Sequence, residues 1–150
     1  MAGTGTNRAN PGFNVGETMS KHSKPKWLNM GPVIVHFGFC GSEKAYRKTM
    51  KRMGVEDPMP FVSPGCGASV RTFEKPGSNM TILMCYDATA KTDNTRNQID
   101  SLIAHEAAHV AQYCIEYMNE KGDAKETFAY IVQYVFGFVT GELWGDSCTD

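Results

Sequence analysis

The stretch His105-Glu106-Ala107-Ala108-His109, set inside the apolar, periodic run from Ile99 to Tyr113, limits what this chain can become more than any other segment. Apolar residues recur there at helical spacing, and on a helix residues four apart share a face. His105 and His109 therefore present two imidazoles side by side, within reach of one metal ion. Glu106, one step round, can reach a water bound to that ion. The H-E-x-x-H arrangement supplies two neutral histidine ligands for zinc and a carboxylate that takes the proton from the zinc-bound water. With this chain's His and Glu content, it should arise by chance in about one such sequence in a hundred.

A chain of 150 residues is long enough for one domain with a core of its own. Its composition, 41% hydrophobic and 21% charged, places it among globular proteins, and no apolar run approaches the length of a membrane span. The first residues lack the apolar core of a signal peptide, so the expected location is the cytoplasm. Five cysteines without a C-x-x-C pair indicate neither a disulfide framework nor a cysteine zinc site, and they read as small, reduced, buried residues. The net charge of -1 hides an asymmetry of about +7 up to Gly54 and -8 beyond it. The basic share falls on one amphipathic helix and a polar tail, which reads as a solvated face with no nucleic-acid partner.

Residues 1–29 are rich in Gly, Asn, Thr, Ser and Lys and read as a disordered or extended tail, leaving 30–150 as the single domain. From Val33 to Cys40 the alternation predicts a strand, and Ser42 and Gly54 bound a helix over 43–53. Pro58, Pro60, Pro64, Gly65 and Gly67 make 55–67 a loop, after which 68–74 and 80–87 form a hairpin. The helix bearing the two histidines is placed at about 95–117. A further helix runs from about 123 to 138, with Asp123 and Glu126 in capping-box positions. The order strand, helix, strand, strand, helix, helix is a compact α+β arrangement with a small sheet containing antiparallel pairs.

Two histidines do not complete a catalytic zinc site, which takes three protein ligands and one open position. Acids beyond the motif are Glu116, Glu120, Asp123 and Glu126; Glu116 lies on the motif helix itself, too far along to reach the ion. Glu126 opens the pattern Glu126-Thr-Phe-Ala129-Tyr130 on the next helix. In this the chain resembles the gluzincin zinc peptidases, whose third ligand is a glutamate on the helix after the motif helix. The segments His105 to Gln112 and Glu126 to Gln133 are more closely similar to small phage-encoded metallopeptidase-like proteins with an H-E-A-x-H-V-x-Q … E-x-x-A-Y-x-x-Q pattern, often encoded near tail or head genes. The resemblance covers residues 80 to 135 best, 33 to 75 loosely, and omits the first thirty.

The resemblance implies a minimal zincin-like domain with Zn2+ on His105, His109 and Glu126. It also implies Glu106 as general base, a peptide or protein substrate, and a link to phage structural proteins. A rival expectation keeps that fold in a non-enzymatic virion or tail component. For Glu126 to bind, the motif helix must stop near Tyr117, which Asn119 and Gly122 permit; otherwise Glu126 only closes a capping box. Tyr130 is either an oxyanion donor or a core tyrosine, and Asp100, Gln112 and Gln133 are the candidates to orient the imidazoles. The apolar run after Phe128 is too broad for one core face, so Tyr134, Phe136, Leu143 and Trp144 suggest a homodimer or docking surface.

Overall fold

The computed structural model describes residues 21–120, 122 and 124–145. The strands are β1 (Lys26–Leu28), β2 (His36–Cys40), β3 (Ala68–Phe73) and β4 (Thr81–Tyr86). The helices are α1 (Glu43–Met53), α2 (Arg96–Met118) and α3 (Lys125–Trp144). One mixed sheet has the order β1-β2-β4-β3, with β2 and β4 parallel and both outer pairs antiparallel. The molecule is a small α+β domain, as the order of elements predicts.

Alternation within the strands divides the core between two faces of the sheet. Phe37, Phe39, Ile82 and Met84 point to the side where α2 and α3 supply Ile99, Ile103, Val110, Ile131, Val135 and Val139. Cys40, Leu83 and Cys85 point the other way and meet Ala45, Tyr46 and Met50 of α1. The expected caps of α1 hold, and α2 opens on a capping box that the sequence reading did not single out. Ser42 accepts from Ala45 N–H and opens α1, Gly54 in the left-handed region closes it, and Thr95 with Gln98 forms a full capping box at α2. Asn119, at φ 52° and ψ 39°, then stops α2 one residue beyond Met118. That early stop lets the chain turn back as α3.

Several expectations need correction. The expected strand 33–40 pairs only from His36, and the supposed tail supplies β1, which pairs antiparallel with β2 at the sheet's edge. Residues 1–20 lie outside the described residues. Helix α3 begins at Lys125 after Ala124, whose methyl cannot accept a hydrogen bond, so no capping box forms around Glu126; Asp123 is not among the described residues. The same helix runs past Phe138 to Trp144, because Val139 and Trp144 gain core contacts that offset the roughly 1 kcal/mol cost of each internal glycine. This extension covers part of the expected aromatic patch. Phe138 meets Phe37 edge-on at 6.3 Å, and Trp144 Nε1 donates to Asp100 Oδ1 at 2.7 Å. Tyr130 and Tyr134 stay exposed, at 57% and 60%. Cys40, Cys85 and Cys114 are buried free thiols, Cys66 is exposed, and burial pushes Cys114 up to about 11.

Trp27 of β1 lies across Gly38 of β2, where an added Cβ would stand 2.8 Å from the indole and 2.9 Å from Leu83. Gly38→Ala is expected to cost about 1–3 kcal/mol by overpacking, read as a lowered urea midpoint with an unchanged m-value. A midpoint equal to wild type would mean that β1 is not packed on β2 in solution.

Candidate metal centre

Helix α2 has two distinct sides. Ile99, Ile103, Ala107, Val110, Ala111 and Cys114 recur at helical spacing and are buried against the sheet and α3. His105, Gln112 and Glu116 fall on the opposite, exposed side, with His109 between exposed and buried. The amphipathic pattern that buries the helix therefore also turns both imidazoles outward.

There the two rings meet. His105 Nε2 and His109 Nε2 are 3.1 Å apart, with ring centroids at 4.7 Å and planes at 82°. Two nitrogens bound tetrahedrally to one zinc at its usual bond length stand about 3.3 Å apart, so the pair needs to open by only a few tenths of an ångström. His109 Nδ1 lies 3.1 Å from Gln112 Oε1. An Nδ1–H donated to that oxygen leaves the His109 Nε2 lone pair free to bind a metal, the tautomer a zinc ligand requires. Of the three residues expected to orient the imidazoles, Gln112 does so. Asp100 is instead committed to Trp144 and, at 3.8 Å, to Arg96. Gln133 is exposed on α3.

Glu106 is 8% exposed, at the border of the apolar side. Its flank faces the sheet's free edge. Leu102, four residues earlier and so on the same flank, packs where a Cβ on Gly67 would stand, at 2.8 Å. Strand β3 begins at the next residue, and its one partner among the described residues is β4. Helix α2 packs on β3 there, and Glu106 shares the flank of Leu102. Beside Gln112, a groove of about 480 Å³ runs between α2 and α3, walled by Ile115 and Phe128.

Glu126 is exposed in the first turn of α3. Trp144 meets Asp100 at one end of the helical hairpin, and Lys125 shares the groove with Ile115 near the other. This antiparallel register sets Glu126 about 9–12 Å farther along α2 than His109, at 1.5 Å per residue. Among the described residues no three His, Cys, Asp or Glu side chains form a group able to hold a metal ion. The structure brings together His105, His109 and Gln112, with Glu106 alongside, and leaves Glu126 and Tyr130 apart on α3. His36, at the exposed start of β2, stands outside the group.

Gln112→Ala is expected to weaken zinc binding about 10- to 100-fold by freeing the His109 ring, as loss of an orienting partner typically does. Isothermal titration of the apo-protein reads this directly, and unchanged affinity would remove Gln112 from the site. Comparison of the chain with family models, with curated proteins and with solved structures found no match.

Proposed function

We propose that this protein is a zinc-dependent peptidase of gluzincin type, phage-encoded and linked to virion or tail assembly. The observation that carries the reading is the approach of His105 Nε2 and His109 Nε2 to 3.1 Å, with Gln112 on the far nitrogen of His109. His105 and His109 would hold the ion, and the resemblance offers Glu126 as third ligand. A zinc ion bound there would polarise a peptide carbonyl and acidify its water. Glu106 would accept the proton from that water and pass it to the leaving amine. An extended peptide would add to the open edge of β3, main chain to main chain, with its scissile bond toward Glu106. Tyr130, as oxyanion donor, and Glu126 both require the first turns of α3 to approach the histidines.

Metal analysis of protein purified without chelators, with anomalous scattering on its crystals, tests the site. One zinc per chain between His105 and His109, together with cleavage of a quenched-fluorescence peptide library, is the expected result. Zinc without cleavage would favour a second reading, supported by the exposed position of Glu126: a non-enzymatic virion or tail component that keeps a zincin-like fold. No zinc at all would overturn both. Association through the C-terminal helix from about Tyr134, which stays exposed, to Trp144 belongs to the same proposal, and sedimentation as a monomer at micromolar concentration would remove it. No helix among the described residues is long and apolar enough to cross a membrane.

A further inference from the structure

The last matched pair of the β2–β4 ladder sets Cys40 opposite Cys85. Residues in register on neighbouring parallel strands project to the same face, with Cα atoms about 4.8 Å apart, inside the range of about 4.4–6.8 Å that a disulfide spans. Both side chains are free thiols, both are 0% exposed, and both lie in the smaller core beneath α1. The zinc chemistry proposed above uses neither.

Polar groups from two further elements gather on the pair. Cys40 Sγ is 3.9 Å from Thr49 Oγ1 of α1, whose hydroxyl donates to Ala45 C=O at 2.8 Å and can turn to the sulfur once it ionises. Arg71 of β3 is in register with Leu83, which belongs to the same core. The acceptors its guanidinium contacts are neutral: Pro60 C=O at 2.7 Å, Ser63 Oγ at 3.2 Å and Met59 Sδ at 3.8 Å. Its charge therefore remains to favour an anion on the sulfurs. Hydrogen bonding with Cys85 holds the Cys40 pKa below its usual value, whereas the same bond and burial push Cys85 up. Cys40 is thus the first to ionise, with Cys85 already beside it, the arrangement of an attacking and a resolving thiol.

Access comes from the segment between α1 and β3. Phe61 closes the core that holds the two sulfurs, its ring 5.7 Å from that of Tyr46. Around it the segment is fastened by side chains: Tyr46 OH donates to Met59 C=O at 2.8 Å, Arg71 Nη2 to Pro60 C=O, and Ser63 N–H to Ser69 Oγ at 3.0 Å. Opening three such bonds costs far less than unfolding the sheet, and it admits a molecule little larger than water.

We propose that Cys40 and Cys85 form a redox-active dithiol that a hydroperoxide oxidises to an intrachain disulfide. The Cys40 thiolate attacks a peroxide oxygen: an S–O bond forms, the O–O bond breaks, and the departing oxygen takes up a proton, leaving as water when the oxidant is hydrogen peroxide. Cys85 then attacks the Cys40 sulfur. The S–S bond forms, the S–O bond breaks, and the released hydroxide takes the Cys85 proton and leaves as a second water. Two thiols give up two electrons and the peroxide accepts them. The reaction is separate from the histidine pair and does not depend on zinc.

The test treats the full chain with hydrogen peroxide, blocks the remaining thiols with N-ethylmaleimide in denaturant, and maps the peptides by mass spectrometry without reductant. Cys66, which is exposed, reports that the oxidant has acted. The expected result is a pair of peptides linked from Cys40 to Cys85, two hydrogens lighter than their sum and separated by dithiothreitol. Cys85→Ala should leave Cys40 as a sulfenic acid that dimedone captures. Tyr46→Phe, which releases Met59, should speed disulfide formation about two- to tenfold, the worth of one hydrogen bond. An unchanged rate there would remove the segment over Phe61 as the route of entry. The wild-type peptide map decides the main point whether or not either variant folds. Cys40 and Cys85 recovered as unlinked thiols after Cys66 is fully oxidised, or linked to other cysteines in place of each other, would overturn the proposal.

Discussion

Glu106→Gln is expected to keep its zinc and to lose peptide hydrolysis by about two to four orders of magnitude, the usual worth of a positioned general base. The side chain keeps its size and its place at the border of the buried face of α2, so packing changes little. What disappears is an oxygen able to accept a proton. The loss should fall on kcat and kcat/KM together, because the proton moves in the transition state while substrate binding is untouched. Turnover at the wild-type rate, with zinc retained, would refute the role given to Glu106.

His105→Ala and His109→Ala should each abolish stoichiometric zinc binding, for a different reason. Each removes one of two nitrogens already placed 3.1 Å apart, and the ion is left with too few protein ligands to compete with water. Both rings lie on the outer side of α2, so the loss should come without unfolding; His105 is exposed, and alanine favours the helix. Equilibrium dialysis against buffered zinc reads the outcome, and full occupancy in either variant would sink the assignment. Glu126→Ala separates the gluzincin arrangement from a site completed some other way. Loss of zinc would mean that α3 closes on the histidines when metal is present, whereas retention would exclude Glu126 as ligand.

Much of this architecture could be read locally, wherever one residue decides one event. Ser42, Gly54 and Asn119 each act on the backbone within a few positions, and the helices they bound lie within a residue of expectation. What could not be read depends on distant partners. Lys26–Leu28 has no strand pattern of its own and pairs because Trp27 finds the bare face of Gly38. Likewise, the end of α3 was misplaced because Trp144 is held by Asp100, forty-four residues away. At the site, the i, i+4 spacing of the histidines and the i, i+3 step to Gln112 are properties of one helix and were legible. The distance to Glu126 depends on how two helices pack, and the spacing of residues along the chain does not contain it.

The parallel pairing of β2 with β4 has a consequence for how the chain folds. Every matched pair in that ladder lies forty-five residues apart, whereas the α2–α3 hairpin closes through residues 119–124 and β3–β4 through 74–80. Contacts across long loops are entropically late and slow. The helical hairpin carrying the histidines should therefore assemble first, and the joining of β2 to β4 should set the rate.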